Sequence, residues 1–109
     1  MGNGMITGQS SGNASTLQQV PYIGNGASSK EITFSFAPKL VFVGYAEASS
    51  VNLVIAVNPC VMAVAFTKGG QVPSGVNLAW NGNTVTLSGP DSGTAMNYSG
   101  LAYTATAIG

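Results

Sequence analysis

Val76-Asn77-Leu78-Ala79-Trp80-Asn81-Gly82-Asn83-Thr84-Val85-Thr86-Leu87 is the stretch that decides the fold. Val76, Leu78 and Trp80 alternate with Asn77 and Ala79, and Val85 and Leu87 alternate with Thr84 and Thr86. A period of two is the mark of a strand with one buried face. An Asn-Gly pair between two such runs is the strongest short-range hairpin signal, because glycine reaches positive φ without steric cost. The stretch therefore predicts two antiparallel strands joined by a two-residue turn at Asn81-Gly82.

The same grammar continues on both sides. Ile32, Phe34 and Phe36 alternate with Thr33 and Ser35 until Pro38 breaks the run. Leu40 to Tyr45 is apolar at both parities, so both faces are expected to be covered. Val51 to Val57 and Cys60 to Phe66 are two more apolar runs, parted by Asn58-Pro59; a helix over Val61 to Phe66 competes with strand because of Ala63 and Ala65. Lys68 to Gly75 and Gly89 to Gly93 read as loops, and Leu101 to Ile108 as the last strand. The expected fold is all-β, an antiparallel β-sandwich or jelly-roll-like domain of about seven to eight short strands. It spans residues 19–109. Residues 1–18, rich in Gly, Ser and Asn, read as a flexible N-terminal arm that orders only against a neighbour.

Composition narrows function. Charged residues are 6% of the 109, far below the roughly 25% of ordinary soluble domains, and the net charge is zero. The cations are Lys30, Lys39 and Lys68, the anions Glu31, Glu47 and Asp91, and there is no His. Three scattered lysines cannot track a phosphate backbone or an anionic bilayer, so neither nucleic acid nor a membrane is an expected partner. No run is long enough for a transmembrane helix, and the N-terminus lacks the basic-then-apolar pattern of a signal peptide. A surface so poor in charge suits a protein packed against its own copies. The runs Leu40 to Tyr45 and Val51 to Phe66 hold more apolar surface than one sheet face needs, and predict a homo-oligomer.

The residues also argue against catalysis. No His stands beside a nucleophile, one cysteine builds no metal site, and three dispersed acids suit neither calcium nor glycoside hydrolysis. No cofactor and no metal are expected. Glu47 and Asp91 are the one carboxylate pair that could meet across a glycosidic bond. Cys60, inside Val57 to Met62, reads as a buried small hydrophobe. Asn97-Tyr98-Ser99 matches a glycosylation sequon by chance composition. Exposed aromatic rings are how small β-sandwiches hold sugars, which makes Tyr22, Tyr45, Trp80, Tyr98 and Tyr103 the candidates; Trp80, beside a hairpin turn, and Tyr98, in a loop, are the candidate ligand-binding residues carried forward.

Two segments carry a resemblance. One is Tyr22-Ile23-Gly24-Asn25-Gly26 leading to Ile32-Thr33-Phe34-Ser35-Phe36-Ala37-Pro38-Lys39-Leu40-Val41-Phe42-Val43. The other is Asn97-Tyr98-Ser99-Gly100-Leu101-Ala102-Tyr103-Thr104-Ala105-Thr106-Ala107-Ile108-Gly109. Together they resemble the small β-rich structural modules of phage and prophage tail-fibre-like and virion decoration proteins, over roughly residues 20 to 109. The resemblance implies a virion structural protein, a short fibre or decoration subunit. It implies a trimer located on the virion, in contact with other virion proteins, that either contacts the host surface, a host surface glycan being the candidate ligand, or decorates the particle. It supplies no catalytic residues. The alternative is a carbohydrate-binding or adhesin module outside any virion.

Overall fold

The computed structural model describes residues 16–46 and 51–109. Eight strands, and no helix among the described residues, form one antiparallel sheet. They are β1 (Leu17–Ile23), β2 (Ser29–Thr33), β3 (Leu40–Ala46), β4 (Val51–Val57), β5 (Met62–Thr67), β6 (Gly70–Asn81), β7 (Thr84–Ser88) and β8 (Ala102–Ile108). The sheet order is β1-β8-β3-β4-β5-β6-β7-β2. Of the expected arm, residues 1–15 lie outside the described residues, and Leu17 and Gln18 belong to β1.

The sheet curls until its two edge strands, β1 and β2, almost meet, so the all-β, sandwich-like expectation takes the form of a nearly closed barrel. Side chains rather than a backbone ladder span the seam. The Gln18 side-chain oxygen accepts from the Ser35 backbone N–H at 2.7 Å and from the Ser35 hydroxyl at 3.0 Å. Lys30 Nζ lies 4.8 Å from the centre of the Tyr22 ring, within cation–π reach. Pro21, which has no N–H to give, is tolerated because β1 is an edge strand.

Alternation fixes what is inside. Ile32 and Phe34, Val41 and Val43, Val54 and Ala56, Ala63 and Ala65, Val76 and Leu78, Val85 and Leu87, and Tyr103, Ala105 and Ala107 form one buried cluster. The antiparallel register gives the barrel two ends. Connections 34–39, 58–61 and 82–83 lie at one, here the hairpin end, and connections 24–28, 68–69 and 89–101 at the other, the loop end.

The hairpin forms one residue later than the Asn-Gly pair suggests. Asn81 pairs with Thr84, so the two turn residues are Gly82 and Asn83. Gly82 has φ +59 and Asn83 has a negative φ, the combination a type II′ turn requires with glycine first. The segment expected as a loop over Lys68 to Gly75 is mostly strand: only 68–69 turn, and β6 starts at Gly70. Pro73 and Gly75 do not interrupt it because they stand at a bulge, where the β5 pairing jumps from Asn77 at Met62 to Pro73 at Val64. The Ser74 hydroxyl ties that bulge down, donating to the Ala63 carbonyl and accepting from the Val76 N–H at 3.0 Å. The competing helix over Val61 to Phe66 is β5, with both alanines facing inward.

Candidate functional site

The barrel has two unlike walls. On the wall made by β2, β7 and the second half of β6, the outward residues are Glu31, Thr33, Asn77, Ala79, Asn81, Thr84, Thr86 and Ser88. Thr33 and Thr84 share a hydroxyl–hydroxyl hydrogen bond of 2.8 Å across this face. Its inward residues are large: Ile32, Val76, Leu78, Trp80, Val85 and Leu87.

On the opposite wall, β3–β4–β5, the sizes reverse along β5 and at Ala56, while Val41, Val43 and Val54 still fill the inside. On β4 and β5 the inward positions include Ala56, Ala63 and Ala65, while Leu53, Ile55, Met62, Val64 and Phe66 point outward. Leu40 and Phe42 of β3 join them, opposite Val57 and Ile55 in the ladder. Val57, Val61, Met62, Val64 and Phe66 are 47%, 69%, 60%, 39% and 40% exposed. At roughly 150–200 Å² per residue of this size, the four on the strands, Val57, Met62, Val64 and Phe66, leave about 300 Å² of apolar surface uncovered. No charged residue stands among the described outward positions of this wall. A hydrophobic-moment argument would have turned the larger side chains inward. The chain instead places Ala63 and Ala65 inside β5 and keeps the bulk of that strand outside.

The loop end is held by Asn97, which is fully buried. Its side-chain carbonyl accepts from the Asn25 N–H at 3.0 Å. Its amide donates toward the Asn25 side-chain oxygen at 2.7 Å and the carbonyls of Ala27 and Ser29, both at 3.1 Å. Its own backbone carbonyl accepts from Gly26, and its N–H donates to Ser92. The Gly24-Asn25-Gly26 turn is thus clamped to the loop before β8. Gly24 is required for contact: a Cβ there would stand 2.0 Å from the Tyr98 carbonyl oxygen. This buried amide is the sequon asparagine, so in the folded protein it is closed to glycosylation.

Beside the clamp lies a cleft of about 420 Å³, lined by Tyr45, Gly93, Tyr98, Ser99, Gly100, Leu101 and Tyr103. Tyr103 stacks on Tyr22 at 5.2 Å between ring centres and meets Tyr45 edge-on at 5.4 Å. The Tyr22 hydroxyl donates to the Met96 carbonyl at 2.7 Å, and the Tyr103 hydroxyl accepts from the Tyr98 N–H at 3.0 Å. Burial, with Tyr103 beside it, pushes the Tyr22 hydroxyl well above the usual tyrosine range.

The two candidate ligand residues do not meet. Tyr98 is exposed at the loop end, whereas Trp80 is half-buried at the hairpin end, its indole N–H donating to the Cys60 carbonyl at 2.7 Å. Cys60, expected to be buried, is exposed in the β4–β5 turn, because the apolar run breaks at Asn58-Pro59 instead of carrying Cys60 into a strand. Glu47 lies outside the described residues. Asp91 caps its own loop: hydrogen bonds from the Thr94 backbone and side chain, then from Gly93, hold its carboxyl below the usual range. Among the described residues no three His, Cys, Asp or Glu side chains cluster to hold a metal ion. Nor is any helix of the described residues long and apolar enough to cross a membrane.

Sequence reading missed Asn97 as a site residue; it offered Tyr45 and Tyr103 as exposed rings, whereas Tyr103 is buried and Tyr45 half-buried beneath Tyr98. Asn97's partners lie about 70 positions away, beyond any local pattern. No family model, curated protein or solved structure matches the chain.

Proposed function

We propose that this protein is a non-enzymatic structural subunit that acts by packing the outer wall of β3–β4–β5 against further copies of itself. One observation carries the reading: this wall keeps Met62, Val64, Phe66, Leu53 and Ile55 outside, while Ala56, Ala63 and Ala65 take inward places. Covering apolar surface contributes roughly 25 cal/mol per Å², and a chain with zero net charge brings no long-range repulsion to its own association. The polar Thr- and Asn-rich wall is the face such an assembly would leave to water. The resemblance to phage fibre and decoration modules favours a trimer located on a virion.

The test is the mass of the full chain in solution at about 0.1 M and about 1 M salt. The reading expects a species of three times the 10.9 kDa chain mass, unchanged by salt, since screening weakens only charge pairs. A monomer at micromolar concentration would overturn it.

A further inference from the structure

We infer that the cleft at the loop end is a binding site for a neutral saccharide. The inference does not rest on self-assembly: the cleft opens at an end of the barrel, away from the outer wall of β3–β5. At about 420 Å³ it falls within the size range of small-ligand pockets.

Its floor is rigid. Tyr103 is 2% exposed, packed between Tyr22 and Tyr45, and its hydroxyl is tied to the Tyr98 backbone. Its wall is the Tyr98 ring, 59% exposed. A sugar ring presents one face of C–H groups and a rim of hydroxyls. The exposed Tyr98 ring and Leu101 suit the first. The hydroxyls of Tyr98 and Ser99, which bond no other group among the described residues, suit the second. Gly93 and Gly100 lower the rim, and at Gly100 a Cβ would meet nothing within 4 Å, so a ligand can approach the main chain there.

Charge and shape select among ligands. Among the described residues no lining residue is ionised at neutral pH, so these give a sialylated or sulfated sugar no counter-ion. A purely apolar ligand would strip water from two hydroxyls without replacing it. An extended peptide needs a strand edge for its backbone, and the cleft is bordered mainly by the turns before β8.

The experiment is a titration of the isotope-labelled full chain with a panel of neutral di- to tetrasaccharides and their sialylated and sulfated counterparts. It is followed at the amides of Gly93, Ser99 and Gly100. A neutral member should move these amides with a Kd of about 1 mM or tighter. Tyr98→Ala should weaken that binding about tenfold while leaving the urea midpoint unchanged, because the ring is exposed. Trp80→Phe, at the opposite end, should leave the affinity unchanged. The inference is overturned if no neutral member moves these amides, if only anionic sugars do, if the shifts centre on the outer wall, or if Tyr98→Ala binds as tightly as the parent.

Discussion

Replacing Asn97 by alanine should be among the most damaging polar substitutions in this protein. The side chain makes one accepted bond and directs two amide hydrogens at three acceptors, so three hydrogen bonds' worth of interaction is lost. At about 0.5–1.5 kcal/mol net for each, the loss is about 2–4 kcal/mol; water reaching exposed Asn25, Ala27 and Ser29 sets the lower bound. With a urea m-value of about 1 kcal/mol/M for a domain of this size, the midpoint should fall by about 2 M or more at unchanged m. All variants are compared at one protein concentration, because association adds to apparent stability. Asn97→Asp separates shape from chemistry: it keeps the volume but aims a carboxylate at three oxygen acceptors. At pH 7 it should be no more stable than the alanine variant. Its folded-state pKa would be raised, so its stability should increase as pH falls toward 4, the opposite of the parent. An alanine variant within about 0.5 kcal/mol of the parent would refute the clamp. So would an aspartate variant as stable as the parent at pH 7.

Three further outcomes follow from the same geometry. Gly24→Ala should cost about 3 kcal/mol through its collision with the Tyr98 carbonyl, and Gly82→Ala only about 1 kcal/mol, from positive φ with open space around it; equal urea midpoints would contradict the distinction. Trp80→Phe should cost about 1 kcal/mol by removing the indole bond to Cys60, read as a thermal midpoint lower by about 4–8 °C; an unchanged midpoint would deny that bond any weight. Asp91 has a lowered folded pKa, so its contribution is present above the unfolded value near 4 and lost as pH falls through the folded one, while Tyr22 has a raised folded pKa, so its contribution is present below about pH 10 and lost above. Denaturation midpoints should therefore be flat from about pH 5 to 9 and decline on both sides, and a slope near pH 6–7 would contradict a chain without histidine.

Alternation and turn residues made the strands legible. They placed β2, β3, β4, β7 and β8 close to where they form, and the hairpin to within one residue. They could not separate Gly82-Asn83 from Asn81-Gly82, because either two-residue loop obeys the same residue preferences. They failed at β6, where Gly69-Gly70 and Pro73 look like a loop but serve as a turn and a bulge. The apolar runs suggested an uncovered surface, yet not which parity would be outside. In β5, Ala63 and Ala65 are weaker hydrophobes than Met62, Val64 and Phe66, and only the bulk arriving from β6 and β7 decides that the alanines face inward. Tyr98 was legible as an exposed loop ring. The tyrosines below it were legible only as separate rings, and the Asn97 clamp not at all, because chain closure between residues 24–29 and 92–103 brings these groups together.

The central claim, that the outer wall of β3–β5 is an assembly face, is tested most directly by the solution mass of Val64→Lys beside that of the parent. Val64 points outward and is 39% exposed, so lysine can be accommodated in the folded monomer while placing a charge in the middle of the wall. The account predicts a parent of several chain masses and a Val64→Lys variant that is a monomer with an unchanged β-sheet circular-dichroism spectrum. A parent that is monomeric at micromolar concentration, or a folded variant that keeps the parent's mass, would contradict it.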